Sequence, residues 1–406
     1  MKRALICLLC GLVATACGAV PARDLGLPGA YKGTVKIALI DAFSGAYGSV
    51  GTYQQHSLQV EADHINGLGG LLGYRVEVAA ADDELQPQKA AVLTQEMTGD
   101  PEVKLLVGPG STDVFAAVKP IIGQARIPNC LPSVRADDVI QNAPTTFRTL
   151  EGTRLAVDAL LQYQHRSQPS MTRVGLIQEN GTDGHFIDRT VSGEARRFGM
   201  DAVGTAFAPD PNADQTSMVQ QLQAKGAQAI ILSSDPFVAG RTAMAVDELG
   251  AAGKLQLLGL SELGSAVYPN GGGPATVGTI FAATNQSYRA AIPDTQWPPV
   301  FKDFVQRIVD QYGYSSDGSE IQGSAPAADC VLGWARAVQK ANTFDGQQVA
   351  QAWQTLDLPA SETVMGTREQ FPGTGHDAVA AGGIGVYQWV KDGDRLRLKQ
   401  LVAPTG

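Results

Sequence analysis

The residues best suited to bind a ligand lie in a short turn, Gly108-Pro109-Gly110, followed by Ser111 and Thr112. An apolar run at 104–107 predicts a buried strand before the turn, and periodic apolar residues at 113–124 predict a helix after it. In open parallel sheets, ligands bind at such strand ends, where the free N–H groups of a helix N-terminus favour an anion. The two hydroxyls would add donors for a carboxylate. The alternative is that either hydroxyl only caps the helix.

A second turn follows the first predicted strand and reads Asp41-Ala42-Phe43-Ser44-Gly45-Ala46-Tyr47-Gly48. It has neither the Walker spacing nor the GxGxxG pattern of phosphate-binding loops. We therefore predict that Ser44 belongs to a ligand-facing loop and that Tyr47 is an aromatic residue of the pocket.

Catalytic and metal-binding patterns are weak. The segment Gly259-Leu260-Ser261-Glu262-Leu263 lacks the closing glycine of a nucleophile elbow. His56 and His64 would lie two turns apart on one helix, roughly 12 Å, which is too far for one metal ion. Asp82-Asp83 could form a catalytic or metal-binding carboxylate pair, but no metal partner or nucleophile lies beside it. Capping of the loop is therefore the favoured role. The sequence therefore favours a binding protein without cofactor, metal or catalytic residues over an enzyme.

Strand and helix signals alternate in two similar series. The first has predicted strands at 35–40, 74–80, 104–107 and 129–131 and helices at 51–65, 87–97 and 113–124. The second has strands at 173–177, 202–206, 229–232 and 256–258 and helices at 189–198, 217–225 and 239–249, before further helices at 300–312, 325–341 and 347–355. Asp392-Gly393 between two alternating runs predicts a hairpin. The pattern indicates an α/β protein with two doubly wound, Rossmann-like lobes.

The N-terminus has the features of an export signal. Lys2 and Arg3 precede an apolar run of about ten residues, far below the roughly 20 that span a bilayer. The small residues before Cys17 resemble a bacterial lipoprotein signal, which implies that residues 1–16 are removed and that Cys17 carries a lipid. Ordinary cleavage after Ala16 is the alternative. Residues 17–33 read as a tether, and the predicted location is the periplasm or cell surface, with the lipid in the membrane.

Charge and cysteine content restrict the partners further. The net charge is −9, from 31 basic and 40 acidic residues, and removal of the two basic residues of the leader makes it −11. This disfavours nucleic acid as a partner, because binding to it needs clustered cations. Besides Cys17, only Cys130 and Cys330 remain after the leader is removed. An exported compartment permits a disulfide between them, and two buried thiols remain the other possibility.

Several short motifs, in order, make residues 34–400 resemble a known family. They are Phe43-Ser44-Gly45 with Tyr47-Gly48 and Gly51; Ile65-Asn66 with Gly69-Gly70-Leu71-Leu72-Gly73; Asp82-Asp83 with Pro87 and Ala90; 108–112; 128–133; and 364–371. Together they resemble the solute-binding proteins of branched-chain amino acid ABC transporters, the Leu/Ile/Val-binding type. The resemblance implies a type I periplasmic binding fold and a permease in the cytoplasmic membrane as partner.

The resemblance also implies how the chain is divided. The family has two lobes that are joined by a three-strand hinge and close on the ligand. Here the crossings are expected near 146–151, 281–285 and 366–371. Lobe 1 would comprise 34–147 and 284–366, and lobe 2 would comprise 148–283 and 367–406.

The ligand-binding positions of the family show departures in this chain. Ser111 matches the serine that binds the ligand carboxylate, Ser133 matches a backbone contact, and an acidic residue for the ammonium group falls near Ser261 or Glu262. The departures are Arg135 in place of a threonine, Asp183 in place of a tyrosine, Asp235 in place of a pocket aromatic, and Val50 in place of another aromatic. Because charged groups in the pocket need partners on the ligand, we expect a small polar or acidic molecule and not leucine.

Three alternatives stay open at this point. Arg135 could pair with Asp137 or Asp138 in solvent and take no part in binding. The whole protein could be an envelope sensor that uses the same clamp. It could also be a hydrolase with an unusual site.

Overall fold

The computed structural model describes residues 31–45, 48–208, 214–284, 293–315, 319–371 and 377–405. The predicted leader, Cys17 and most of the predicted tether lie outside these residues, as does Tyr47. No helix in the described part of the chain is long and apolar enough to cross a membrane.

Strands and helices alternate along most of the chain. The strands are β1 (Thr34–Asp41), β2 (Arg75–Asp82), β3 (Val103–Val107), β4 (Asn129–Leu131), β5 (Thr146–Arg148), β6 (Arg173–Glu179), β7 (Asp201–Ala208), β8 (Ala229–Ser233), β9 (Gln256–Gly259), β10 (Ile280–Thr284), β11 (Asp357–Leu358), β12 (Glu369–Gln370), β13 (Ile384–Asp392) and β14 (Arg395–Val402). The α-helices are α1 (Gly48–Gly67), α2 (Pro87–Gly99), α3 (Thr112–Ala125), α4 (Thr153–Ser167), α5 (Thr182–Arg197), α6 (Gln215–Ala224), α7 (Pro236–Glu248), α8 (Val267–Gly272), α9 (Pro299–Tyr312), α10 (Ser319–Ala341) and α11 (Gly346–Trp353).

Two separate sheets confirm the predicted pair of doubly wound lobes. The lobe 1 sheet is parallel, in the order β2-β1-β3-β4-β5. The lobe 2 sheet has the order β14-β13-β10-β9-β8-β6-β7, with a parallel section from β7 to β10. The predicted hairpin forms β13 and β14 and adds to this sheet in the antiparallel sense.

Alternation of side chains along the central strands explains why helices cover both faces of each sheet. In β1, Val35, Ile37 and Leu39 pack in one core with α1, α10 and α11, whereas Ala38 and Ile40 pack in another with α2 and α3. The strand β8 divides its residues in the same way between α6 with α7 and α4 with α5. A strand that is buried on both faces reads as a continuous apolar run, as these do.

A disulfide joins Cys130 of β4 to Cys330 of α10, with the two Cα atoms 5.7 Å apart. This decides between the two possibilities that the sequence left open. The cross-linked residues are 200 positions apart in sequence, yet both belong to the core of lobe 1.

The buried guanidinium of Arg148, at the end of β5, ties together segments at the passage between the lobes. It donates from Nε to Asp377 Oδ1 at 2.5 Å, from Nη2 to Asp137 Oδ1 at 2.6 Å, and from Nη1 to the carbonyl oxygen of Arg135 at 2.7 Å. The N–H of Ala378 donates to the carbonyl oxygen of Arg148 at 2.8 Å. The segments around residues 135, 148 and 377, which lie near the expected first and third crossings, are therefore held side by side.

Candidate functional site

A cleft of about 640 Å³ lies between the carboxyl ends of the two sheets. Lobe 1 contributes the start of α1, the turn after β3, the loop after β4 and one face of α10. Lobe 2 contributes the end of β6 and the segments that follow β6, β8 and β9, and Leu150 and Thr153, which come after β5, also line the cleft. This is the position at which doubly wound sheets place their ligands.

The predicted site residues are distributed unevenly around this cleft. Those that line it are Ser133, Arg135, Asp183, Asp235 and Glu262, together with Val50. Ser44, Ser111 and Thr112 are not among its lining residues, and Tyr47 lies outside the described part of the chain.

Arg135 and Glu262 form an ion pair that crosses the cleft. Arg135 Nη1 of lobe 1 donates to Glu262 Oε2 of lobe 2 at 2.9 Å, and Ser233 Oγ donates to Glu262 Oε1 at 3.1 Å. Burial raises the pKa of the Glu262 carboxyl, an effect that Arg135 opposes and Glu151 increases. The two acids next to Arg135 in sequence have other cations near them, Arg148 for Asp137 and Arg189 for Asp138.

Asp183 lies in the first turn of α5, because this helix begins at Thr182 and not near Arg189 as predicted. Its side chain is accessible to solvent from the cleft. Neighbouring protein atoms nevertheless remove part of its hydration, which raises the pKa of its carboxyl group. A hydrogen bond with the Thr112 hydroxyl lowers this pKa in part. Thr112 Oγ1 is itself buried, without a well-formed hydrogen bond to the described residues.

Asp235 also belongs to a helix terminus, since it is the N-cap of α7. Its Oδ1 accepts hydrogen bonds from the N–H groups of Phe237 at 2.9 Å and Val238 at 3.3 Å. Its own N–H donates to Glu179 Oε1 at 3.1 Å. Glu179 is the last residue of β6 and lines the cleft, and the sequence analysis did not identify it.

Ser111 has the capping role that the sequence offered as an alternative, because its Oγ accepts a hydrogen bond from the N–H of Val114 at 3.3 Å. Ser44 is exposed in the loop after β1, which is bound to β2 by a bond of 2.9 Å from the N–H of Phe43 to Asp82 Oδ1. Neither observation excludes a contact with a ligand, because a hydroxyl that accepts one hydrogen bond can still donate another.

Lobe 1 also contributes cleft residues that the sequence analysis did not identify. Tyr53 of α1 and Gln322 of α10 line the cleft, and Gln322 Nε2 donates across it to the carbonyl oxygen of Ser261 at 2.9 Å. Ser133 is held by Gln54, whose Nε2 donates to Ser133 Oγ at 2.6 Å. No group of three or more potential metal ligands occurs among the described residues.

The chain belongs to the periplasmic binding protein family, since the model of that family matches residues 34–394. It is 22% identical over 353 residues to Leu/Ile/Val-binding protein homolog 8 of Brucella abortus, which covers 83% of this chain and 84% of that protein. It is 21% identical over 288 residues to homolog 3 of Brucella melitensis, which covers 71% and 75%. The resemblance to the Leu/Ile/Val-binding type is thereby confirmed.

Solved structures of similar fold include proteins with different ligands. A solute-binding protein from Rhodopseudomonas palustris in complex with 3,4-dihydroxybenzoic acid has a TM-score of 0.76, with 17% identity over 91% of this chain and 96% of that one. LivJ from Streptococcus pneumoniae in complex with isoleucine has a TM-score of 0.71, with 18% identity over 91% and 99%. At this level of identity the similarity extends to the fold alone.

Proposed function

We propose that this protein is the extracytoplasmic substrate-binding component of an ABC importer and captures a small polar or carboxylate-bearing molecule by closure of its two lobes. The observation that carries this proposal is the cleft of about 640 Å³ at the strand ends of both lobes. A ligand there would contact both lobes at once and would therefore stabilise the closed arrangement.

Polar contacts across the cleft support closure as the binding motion. The Arg135 to Glu262 ion pair and the bond from Gln322 to Ser261 both join side chains of lobe 1 to lobe 2. Such contacts break when two lobes separate, without disturbing the core of either lobe. A hinge requires this kind of interface.

The charges in the cleft support a polar ligand over a branched-chain amino acid. An apolar side chain beside Asp183 or Asp235 would remove carboxylate surface from water without offering it a hydrogen bond. We propose that Ser111 and Thr112 also hold an acidic group of the ligand. Such a group would lie close to the carboxyl group of Asp183, which interacts with the Thr112 hydroxyl.

Native mass spectrometry of protein purified without refolding should detect a small molecule bound without chemical change. Calorimetric titration should then find no binding of leucine, isoleucine or valine. Micromolar or tighter binding of leucine would contradict the proposed ligand class. Turnover of the bound molecule would contradict the transport role and favour a hydrolase.

Replacing both Ser111 and Thr112 by Ala tests their role as an anchor. Loss of hydrogen bonds to a charged group should weaken binding by on the order of 1 to 3 kcal/mol. A lowered melting temperature with unchanged affinity would assign the two hydroxyls to helix capping alone.

The proposed lipid anchor rests on Cys17 and the leader before it. Cys17→Ala should move the protein to the soluble fraction and abolish incorporation of labelled fatty acid. Equal membrane association of both forms would contradict lipidation.

A further inference from the structure

The ionisable side chains that line the cleft are strongly unbalanced. Among the residues that the structure describes, lobe 2 contributes four carboxyl groups, Glu179, Asp183, Asp235 and Glu262, whereas lobe 1 contributes one cation, Arg135. Among the described residues, no lysine or histidine lines the cleft. One face of the cleft is therefore acidic, and we call these four residues the acidic wall.

Arg135 compensates only part of this charge. Its guanidinium is engaged with Glu262, which is also bound by Ser233. Asp235 uses Oδ1 to cap α7, and no described group donates a hydrogen bond to its Oδ2. Glu179 accepts a hydrogen bond from the N–H of Asp235 at the start of the same helix. Lobe 2 therefore presents several carboxylate oxygens to the cleft, and a cationic group of a ligand would be attracted to them.

A fifth carboxyl group, that of Glu151, is buried close to the acidic wall. Glu151 is 1% exposed, and neither of its carboxylate oxygens has a hydrogen-bond partner among the described residues. Its neighbours Leu150 and Thr153 line the cleft, and its charge acts on Glu262. A buried anion without a partner is costly, and a ligand of opposite charge would offset that cost.

We infer that the ligand carries more positive than negative charge and places a cationic nitrogen, an ammonium or a guanidinium, against the acidic wall. This inference rests on the proposed function and names the chemical class of its ligand. Basic α-amino acids and diamines both provide the required group. They differ in the carboxylate, which only the amino acids would present to lobe 1.

An anionic ligand fits the same residues poorly. It would have to compete with Glu262 for Arg135, and its success would leave Glu262 without its cation in a half-buried position. It would also add negative charge beside Asp183 and Asp235. A cationic group adds attraction to the wall and leaves the Arg135 to Glu262 pair intact.

Calorimetric titration of the purified mature protein with six compounds tests the inference. L-Arginine, L-lysine and putrescine represent the predicted class, and L-leucine, L-glutamate and 4-hydroxybenzoate represent the excluded ones. We expect at least one cationic compound to bind at micromolar or tighter affinity, at least 30-fold tighter than any of the other three. Preference for the amino acids over putrescine would assign a carboxylate contact as well.

The variant Asp183→Asn/Asp235→Asn removes two charges of the wall while keeping side-chain size, and asparagine still caps a helix. It should weaken binding of the cationic compound at least tenfold. The matched control is Asp247→Asn, which makes the same chemical change at an exposed position near the other end of α7 and should leave the affinity unchanged.

Three results would overturn the inference. Tight binding of glutamate or 4-hydroxybenzoate without binding of the cations would overturn it and leave the proposed transport function standing. Equal affinities of the double variant and the unaltered protein would remove the acidic wall from the site. Binding of none of the six compounds would also overturn it, and native mass spectrometry would then decide separately whether the protein carries any ligand.

Discussion

Carboxylates lie at the carboxyl ends of strands in both lobes, but their surroundings differ. In lobe 1, Asp41 and Asp83 are buried, and each accepts a hydrogen bond of 2.8 Å from a nearby backbone N–H, that of Ala42 or Leu85. In lobe 2, Glu179 ends β6 and Asp235 follows β8, and both line the cleft. The acids of the two lobes are thus similar in residue type and lie at the same end of the strands. They differ in that only those of lobe 2 are accessible from the cleft.

The packing of one turn shows how lobe 1 keeps its carboxylate away from a ligand. A Cβ atom on Gly110 would lie 2.2 Å from Asp41 Oδ1, so only glycine lets the turn after β3 pass over this carboxyl group. In lobe 2, the corresponding acids are followed directly by helix termini that open into the cleft. The doubly wound topology thus fixes where a ligand binds, and local packing decides which of the acids can contact it.

The largest expected difference between the lobes comes from the disulfide. Within the described part of the chain, lobe 1 has this cross-link and lobe 2 has none. Cys130→Ala/Cys330→Ala should lower the free energy of unfolding of lobe 1 by about 2 to 5 kcal/mol, since the bond closes a long loop. Hydrogen exchange should become faster in β3 and remain nearly unchanged in β8. Treatment of the unaltered protein with a reductant should give the same pattern, and equal acceleration in both lobes would contradict it.

One of the buried acids of lobe 1, Asp41, should make stability depend on pH. Burial raises the pKa of Asp41 to about 7, and the charges of Asp83 and Asp82 add to this effect. Because this pKa lies above its value in the unfolded chain, the neutral form stabilises the fold at low pH and the contribution is lost as the pH rises towards 7. For one such group, the free energy of unfolding should fall by on the order of 2 kcal/mol between pH 5 and pH 7.

The variant Asp41→Asn should remove this part of the pH dependence, as measured by chemical denaturation at several pH values. Asp247→Asn, which alters an exposed acid of lobe 2, is the control and should keep it. Identical pH profiles for Asp41→Asn and the unaltered protein would show that Asp41 titrates normally.

The smallest expected effect concerns the ion pair between Arg135 and Glu262, which joins the two lobes across the cleft. Arg135 and Glu262 keep 32% and 18% of their side-chain surfaces exposed, so solvent screens their attraction. A double-mutant cycle with Arg135→Gln and Glu262→Gln should give a coupling energy of about 1 kcal/mol in denaturation experiments without ligand. A coupling of zero would mean that the lobes stand apart in solution when no ligand is bound.

The sequence was sufficient for the order of the elements, because buried strands and amphipathic helices have distinct periods. It was less reliable where tertiary packing determines the outcome. The sequence predicted that α5 starts near Arg189, whereas it starts at Thr182. Gly184 lies in the first turn of this helix, where a Cβ atom would lie 2.1 Å from the carbonyl oxygen of Glu179, so the packing requires glycine. This close approach cannot be read from the local sequence.

The candidate site was predictable only in part for the same reason. Arg135, Asp183, Asp235 and Glu262 could be identified because the family resemblance placed them at ligand-binding positions. Glu179 was missed because β6 extends beyond its apolar run by pairing with Phe207 and Ala208 of β7. Arg148 was missed because its partner Asp377 is distant in sequence. Glu151 was missed because its burial depends on tertiary packing, which no local pattern reveals.

The interruption of lobe 1 by lobe 2 has a consequence for biogenesis. The parallel section of the lobe 2 sheet and the helices that cover it lie within one continuous stretch, from α4 to β10. In lobe 1, one face of β1 packs against α10 and α11, which come some 300 residues later in the chain. As the chain is delivered from its N-terminus, this apolar face stays uncovered while lobe 2 can already collapse. We therefore expect the part of the protein that emerges first to become native last, and to depend most on holdases during export.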